Sequence, residues 1–84
     1  MKHVRDVLNE IKWREGYELS KLKIYYSDRV EHSTKSVSGD KLRSWDKSFF
    51  YTIFDSAIPF HRVQSIQYDN LEIYAKPKTT KNQY

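Results

Sequence analysis

Val4, Val7, Leu8 and Ile11 recur at i, i+3, i+4 and i+7, and this spacing puts them on one stripe of a helix. From Leu19 onward the apolar residues fall instead into period two, the spacing of strands. A single amphipathic helix followed by alternating segments leaves few folds open, because the helix must bury its stripe against the sheet that the rest of the chain forms. The pattern predicts an α+β domain with an amino-terminal helix, Val4 to Trp13, packed on a curved antiparallel sheet of four to five strands. Asp6 lies in the helix's first turn and Lys12 and Arg14 close to its last, where each complements the helix dipole. Its start lacks Ser, Thr, Asp or Asn at the cap, whereas Gly16 is placed to end it. At about 100° per residue Trp13 points away from the Val4 stripe, so it is either exposed or past the helix.

Leu22, Ile24 and Tyr26 alternate with Lys21, Lys23 and Tyr25 in a half-buried strand within Leu19 to Arg29. Glu31 to Ser38 is polar and reads as a loop with a weak strand around Val37, closed by the turn signal Gly39-Asp40. Lys41 to Asp46 fits a helical turn or an irregular link equally well. Ser48 to Phe54 is dense in aromatic and β-branched residues on both faces, as a central strand covered on both sides requires. Val63 to Tyr68 and Leu71 to Ala75 form a hairpin around Asp69-Asn70. The helix stripe is expected to meet Ile24, Phe49 or Ile53. Residues 1–75 read as one domain and 76–84 as a flexible basic tail.

The 84 residues contain no Cys, so neither disulfides nor thiolate zinc can hold the fold, and packing must do so. Seven Tyr, four Phe and two Trp imply an aromatic-rich core. No run approaches the roughly 18 apolar residues of a membrane span, and no signal-peptide core follows the start, so a cytoplasmic protein with no membrane partner is expected. The net charge of +4 and pI near 9.3 suggest nucleic acid, yet Lys76, Lys78 and Lys81 supply three of the four excess charges. A body so close to neutral can hold nucleic acid only through a local cluster of Lys and Arg.

Ala57 to Asp69 carries the clearest such cluster. Pro59 fixes its own φ and biases Ile58 towards extended geometry, which pre-sets the peptide presenting Phe60, His61 and Arg62. Arg62 offers a planar fork of five donors suited to phosphate or carboxylate, and His61 adds an imidazole that can offer one or two donors to the same anion. The pair reads as an anion clamp; the plainer alternative is an exposed Arg beside a His satisfied by a backbone carbonyl. A second candidate is Lys12-Trp13-Arg14, where a base can stack on the indole while the cations meet phosphate. Because Trp is more often buried than displayed, Trp13 closing the end of the core is the preferred alternative there. Arg29, at the end of the first strand, can join the clamp, whereas Asp28 can simply form a rim salt bridge.

Catalysis is harder to build, since His3 and His32 fall in a terminus and a loop and only His61 is well placed. The lack of Cys, of a His pair at i and i+4 and of an Asp-rich loop argues against a metal site. Two glycines, Gly16 and Gly39, cannot make a phosphate-cradling loop. No cofactor is expected.

Taken together, the run Val4-Arg5-Asp6-Val7-Leu8-Asn9-Glu10-Ile11-Lys12-Trp13, the pair Asp28-Arg29, Lys47-Ser48-Phe49-Phe50, and Ile58-Pro59-Phe60-His61-Arg62-Val63 followed by Ile66 and Tyr68 resemble a small, mainly archaeal family. That family is the RNA cyclic-group end recognition domain, and the likeness covers nearly all of residues 3–75 in order. The resemblance implies a compact α+β domain binding RNA ends that bear a cyclic phosphate, alongside RNA-processing proteins. It carries a binding role to His61 and Arg62 first, then to Arg29, with Trp13 and Pro59 also matching. The chain departs from the family's pattern after Arg29, where Val30-Glu31-His32 replaces a Gly-containing turn. The expected function is therefore a non-catalytic RNA-binding module at His61, Arg62, Arg29, Trp13, Lys12 and Arg14. The alternatives are an RNA end-processing phosphoesterase using His61, and a protein-interaction adaptor.

Overall fold

The computed structural model describes residues 3–28 and 30–76. The helix α1 spans Val4–Trp13 as its spacing predicts, and Val4, Val7, Leu8 and Ile11 are its buried residues. His3 takes the cap position with extended backbone, and its N–H donates to Asp6 Oδ2 at 3.3 Å. At the other end Arg14 returns to extended geometry, and Gly16 turns the chain with a φ of +92°, a value that costs a residue without Cβ nothing.

Seven strands follow among the described residues: β1 Leu22–Asp28, β2 Ser33–Ser38, β3 Leu42–Trp45, β4 Phe49–Thr52, β5 Ala57–Pro59, β6 Val63–Tyr68 and β7 Leu71–Ala75. They form two antiparallel sheets, one in the order β2-β1-β6-β7 and one in the order β3-β4-β5. The single sheet of four to five strands is thus corrected. Two strands lie outside that expectation: β3, where a helical turn or link was expected, just after the short 3-10 turn Gly39–Lys41, and β5, in the stretch read as leading into the Pro59 turn.

Register explains the core. Ile24 on β1 stands opposite Val37 on β2 and Ile66 on β6, and Ile66 in turn opposite Tyr74 on β7, so one row of apolar side chains crosses the larger sheet. Ile24 and Ile66 are fully buried and join the helix stripe in one cluster with Leu22, Val63, Ile58 and Phe50. Phe50 ties the two sheets together: Tyr26 of β1 meets its ring edge-on at 6.1 Å, and Phe60 stacks on it at 6.1 Å with planes 19° apart. Gly39 permits the close approach of two turns, since a Cβ there would run into the Leu19 carbonyl oxygen and lie 2.9 Å from Leu22 Cβ.

Strand β4 is central, but only in the smaller sheet, and it is covered on one face. Phe50 and Thr52 are buried while Phe49 and Ile53 are exposed, so the stripe packs with Ile24 and Phe50, not with Phe49 or Ile53. The strand stops at Thr52 because Thr52 Oγ1 accepts the N–H groups of Phe54 and Ser56, folding the chain back with Asp55 at a φ of +63°. The β6–β7 hairpin forms as expected, with Asp69 and Asn70 at φ of +52° and +69°; both turn residues tolerate this left-handed geometry without a Gly. The last strand ends in an ordered contact, since the Lys76 N–H donates to the Gln64 carbonyl at 2.8 Å. The remainder of the expected tail, 77–84, lies outside the described residues, as does Arg29.

Candidate functional site

Pro59 closes β5 with φ −65° and ψ 141°, and the chain then makes one 3-10 turn over Phe60–Arg62 before entering β6. Both ends of this turn are pinned. Phe60 N–H donates to the Ser48 carbonyl at 2.9 Å while its ring lies on Phe50, and Val63 is buried at the start of β6. The residues between have nowhere to go but the rim, so His61 is exposed and Arg62 half-buried. Lys76 closes over the turn, with Nζ donating to the His61 carbonyl at 2.5 Å. Ser27 Oγ lies 3.5 Å from the Arg62 carbonyl oxygen, the outer limit of a hydrogen bond.

His61 stands on a ridge between two open clefts. The first, about 460 Å³, is polar: Ser27, His32, Thr34, Arg62 and Lys76 line it together with His61. Asp28 and Ser33 complete its wall. A carboxylate beside a would-be anion site needs an account, and Lys35 supplies it. Lys35 Nζ lies 2.9 Å from Asp28 Oδ2 and 3.3 Å from Glu31 Oε1. Asp28 Oδ1 also accepts the N–H groups of Val30 at 2.8 Å and Glu31 at 3.2 Å. The Lys35 ammonium, with these backbone donors, holds the Asp28 carboxyl below its ordinary value, and the two carboxylates hold Lys35 above its own. The rim salt bridge considered for Asp28 is therefore real, and among the described residues it leaves Arg62 and Lys76 as the cations of this cleft that form no ion pair. It also fixes the turn that carries His32, whose φ is +53°.

The second cleft, about 540 Å³, lies on the other side of the ridge between α1, the β3–β4 turn and β7. His3, Arg5 and Lys47 stand at its rim and Phe60 and Tyr74 form its floor. Asp46 positions Lys47: its Oδ1 accepts the N–H groups of Ser48 and Phe49, both at 2.8 Å, and its Oδ2 accepts Tyr51 O–H at 2.7 Å. The backbone donors of this turn hold the Asp46 carboxyl low, and the Tyr51 hydroxyl facing that carboxylate is pushed up.

The residues expected from the sequence are thus only partly gathered. His61 and Arg62 share the polar cleft, but Lys12, Trp13 and Arg14 line neither cleft with His61. Trp13 does not close the core; it is 76% exposed at the end of the helix, a correction to the alternative preferred for it. Its neighbour Lys12 sits between two indoles, with Nζ 5.2 Å from the Trp13 ring and 5.3 Å from that of Trp45. Asn9 Oδ1 anchors Trp45 by accepting its Nε1–H at 2.8 Å. Arg14 turns elsewhere, towards Glu10 Oε2 at 2.6 Å and over the Tyr17 ring at 6.0 Å. Sequence reasoning missed His32, Lys76 and Thr34 on one side and His3, Arg5 and Lys47 on the other. The available signals were the Asp-initiated turns at Asp28 and Asp46, each of which lifts a polar residue onto the rim.

Among the described residues, no group of three or more His, Cys, Asp or Glu side chains is arranged to hold a metal ion, and no helix is long and apolar enough to cross a membrane. The family model of the MJ1316 RNA cyclic group end recognition domain matches residues 1–76. A UPF0248 protein of Archaeoglobus fulgidus is 30% identical over 70 residues, which cover 83% of this chain and 100% of that protein. No solved structure matches.

Proposed function

The chain belongs to the RNA cyclic group end recognition domain family, and from that premise we propose that it binds RNA ends carrying a phosphate, the 2′,3′-cyclic form foremost, in the polar cleft beside His61 and Arg62. One observation carries this reading. A turn pinned at Phe60 and Val63 sets His61 and Arg62 on a cleft that also presents Lys76, His32 and the hydroxyls of Ser27 and Thr34, while Lys35 neutralises its carboxylate.

A cyclic phosphate is a compact anion with two non-bridging oxygens and no proton to donate. It is therefore met best by donors alone: a guanidinium fork, an ammonium, imidazolium and hydroxyl groups. Ordering these donors costs little at His61 and Arg62 because the turn is already set. Trp13 and Lys12 are assigned to RNA further from the end. The helix rise of about 1.5 Å per residue puts Trp13 roughly 13 Å along α1 from its first turn, and an exposed indole flanked by an ammonium suits a stacked base. Arg29 keeps its proposed place in the clamp on the strength of the family pattern.

The phosphoesterase reading is favoured by a separate observation: His32 lines the same cleft as His61, so two imidazoles flank the anion. One could take a proton from water as its oxygen bonds to phosphorus, while the other protonates the ribose oxygen as the ring's P–O bond breaks. Incubation with RNA ending in a 2′,3′-cyclic phosphate separates the two readings. Binding without conversion is expected. Hydrolysis to a monophosphate that is lost in both His32→Ala and His61→Ala would replace recognition with catalysis.

A further inference from the structure

We propose that the cleft on the far side of His61 is a second subsite, which takes the nucleotide immediately preceding the recognised end and so sets the path of the RNA strand. The proposal rests on the end-recognition reading above and extends it to a surface which that reading leaves empty. Four observations support it.

First, His61 lines both clefts, so a strand whose terminal phosphate sits in the polar cleft needs only to cross one side chain to enter the other. Second, the chemistry of the two clefts differs in the way that phosphate and nucleoside differ. Phe60 and Tyr74 give the second cleft an aromatic floor, and Phe60 is held flat against Phe50 at 6.1 Å, a rigid surface for a base or ribose. Third, Arg5 of α1 and Lys47 of the β3–β4 turn are both exposed lining residues of this cleft, two cations from separate elements available to a phosphodiester. The carboxylate among the lining residues, Asp6, is turned to its own helix, where Oδ2 accepts the His3 N–H at 3.3 Å. Fourth, the cleft of about 540 Å³ falls within the usual range of small-molecule pockets, roughly 300–1,000 Å³.

The location also gives the strand a direction. Arg5, Asn9 and Lys12 are spaced i, i+4 and i+7 on one stripe of α1, and Asn9 and Lys12 both contact Trp45, two residues before Lys47. RNA leaving the second cleft between Arg5 and Lys47 is thereby led along the helix to Lys12 and the exposed Trp13. The recognised end lies at the polar cleft and the body of the strand runs towards the end of α1. A duplex cannot follow this path, because its bases are not free to meet the aromatic floor, so the ligand is a single-stranded end.

NMR titration tests this with two ligands, a nucleoside 2′,3′-cyclic monophosphate and a dinucleotide bearing the same cyclic end. They are compared on the wild-type chain, Arg62→Ala and the double variant Arg5→Ala/Lys47→Ala. Arg5 and Lys47 are exposed, so the fold tolerates their loss, and amide spectra verify it. The dinucleotide is expected to bind the wild type about tenfold more tightly than the mononucleotide, the scale of one added stacked base. It should shift the amides of Lys47 and Tyr74, which the mononucleotide leaves in place. The double variant should remove most of this gain and leave mononucleotide affinity unchanged. A dinucleotide no tighter than the mononucleotide, or a double variant that weakens both ligands alike, would overturn the second subsite while leaving the polar cleft intact. A mononucleotide whose binding ignores Arg62→Ala would overturn the end-recognition reading itself, and the subsite with it.

Discussion

The two clefts beside His61 share one imidazole and little else. The polar cleft is walled by the end of β1, the start of β2 and the 3-10 turn before β6, and among its lining residues are hydroxyls, imidazoles and cations. The other is floored by Phe60 and Tyr74, with its cations out at the rim. Each is steadied by an aspartate at the head of a turn, yet in different ways. Asp28 spends its charge on Lys35 as well as on backbone N–H groups, whereas Asp46 is held by backbone N–H groups and the Tyr51 hydroxyl. The contrast teaches that a small protein can present two chemically distinct surfaces without a second domain: one dense in donors, which the proposed function assigns to a compact anion, and one with an aromatic floor, proposed for a planar group.

The largest effect expected on this division comes from Arg62→Ala. It removes a charged hydrogen-bonding partner worth about 1.5 to 3 kcal/mol, roughly one to two decades in affinity for a cyclic-phosphate end. It should also make the salt dependence of binding shallower by about one counterion, read from titrations across a range of salt. Trp13→Ala should act on the other part of the path. It is expected to cost about 1 kcal/mol on RNA of several nucleotides, the low end for a stacked base because Lys12 already occupies part of the ring's surroundings. The same substitution should leave a mononucleotide unaffected; an equal loss on both ligands would break the comparison.

The imidazoles sharpen it further. Each offers N–H donors to an anion held in the polar cleft. The groups facing His61 across the polar cleft are His32, Arg62 and Lys76, with Asp28 tied to Lys35. His61→Ala should weaken binding of a cyclic-phosphate end several-fold and His32→Ala by less, as followed by fluorescence titration of labelled RNA. The smallest effect belongs to Asp28. Its carboxyl is held below the ordinary value, so its contribution to the β1–β2 turn is fully present above the unfolded-state value near 4 and is lost as the pH falls through the lower folded value. Asp28→Asn at neutral pH should speed amide exchange at Val30 and Glu31, whose N–H groups it holds, without altering the fold.

Much of this was legible in the sequence, and what was not has a physical reason. The helix Val4–Trp13 could be read because its four buried residues obey the helical period without exception. The β6–β7 hairpin could be read because Asp69 and Asn70 both accept left-handed geometry. Strands β3 and β5 were illegible: none of the four residues of β3 is fully buried, so no alternation marks it, and β5 is three residues long and ends in Pro59, which reads as a turn; with them went the second sheet. Aromatic density in Ser48 to Phe54 suggested cover on both faces, but Phe49, Ile53 and Phe54 turn outward and only Phe50 and Thr52 turn in.

The site divides in the same way. Pro59 announces the turn that presents His61 and Arg62, a local fact carried by local residues. Their companions His3, Arg5, His32, Lys47 and Lys76 come from the helix, two turns and the end of the last strand, and only strand pairing brings them together. Trp13 was assigned on residue type when its helical phase already placed it outward.

The measurement that bears most directly on the account is a titration with RNA oligomers of one sequence that end in a 2′,3′-cyclic phosphate, a 3′-phosphate, a 2′-phosphate or an unmodified diol, at low and high salt. The account predicts that every phosphorylated end binds more tightly than the diol, and that absolute affinity falls with salt while the preference among ends persists, since the clamp is a local contact and not a general field. Equal affinity for the diol and the cyclic phosphate at both salt concentrations would contradict it.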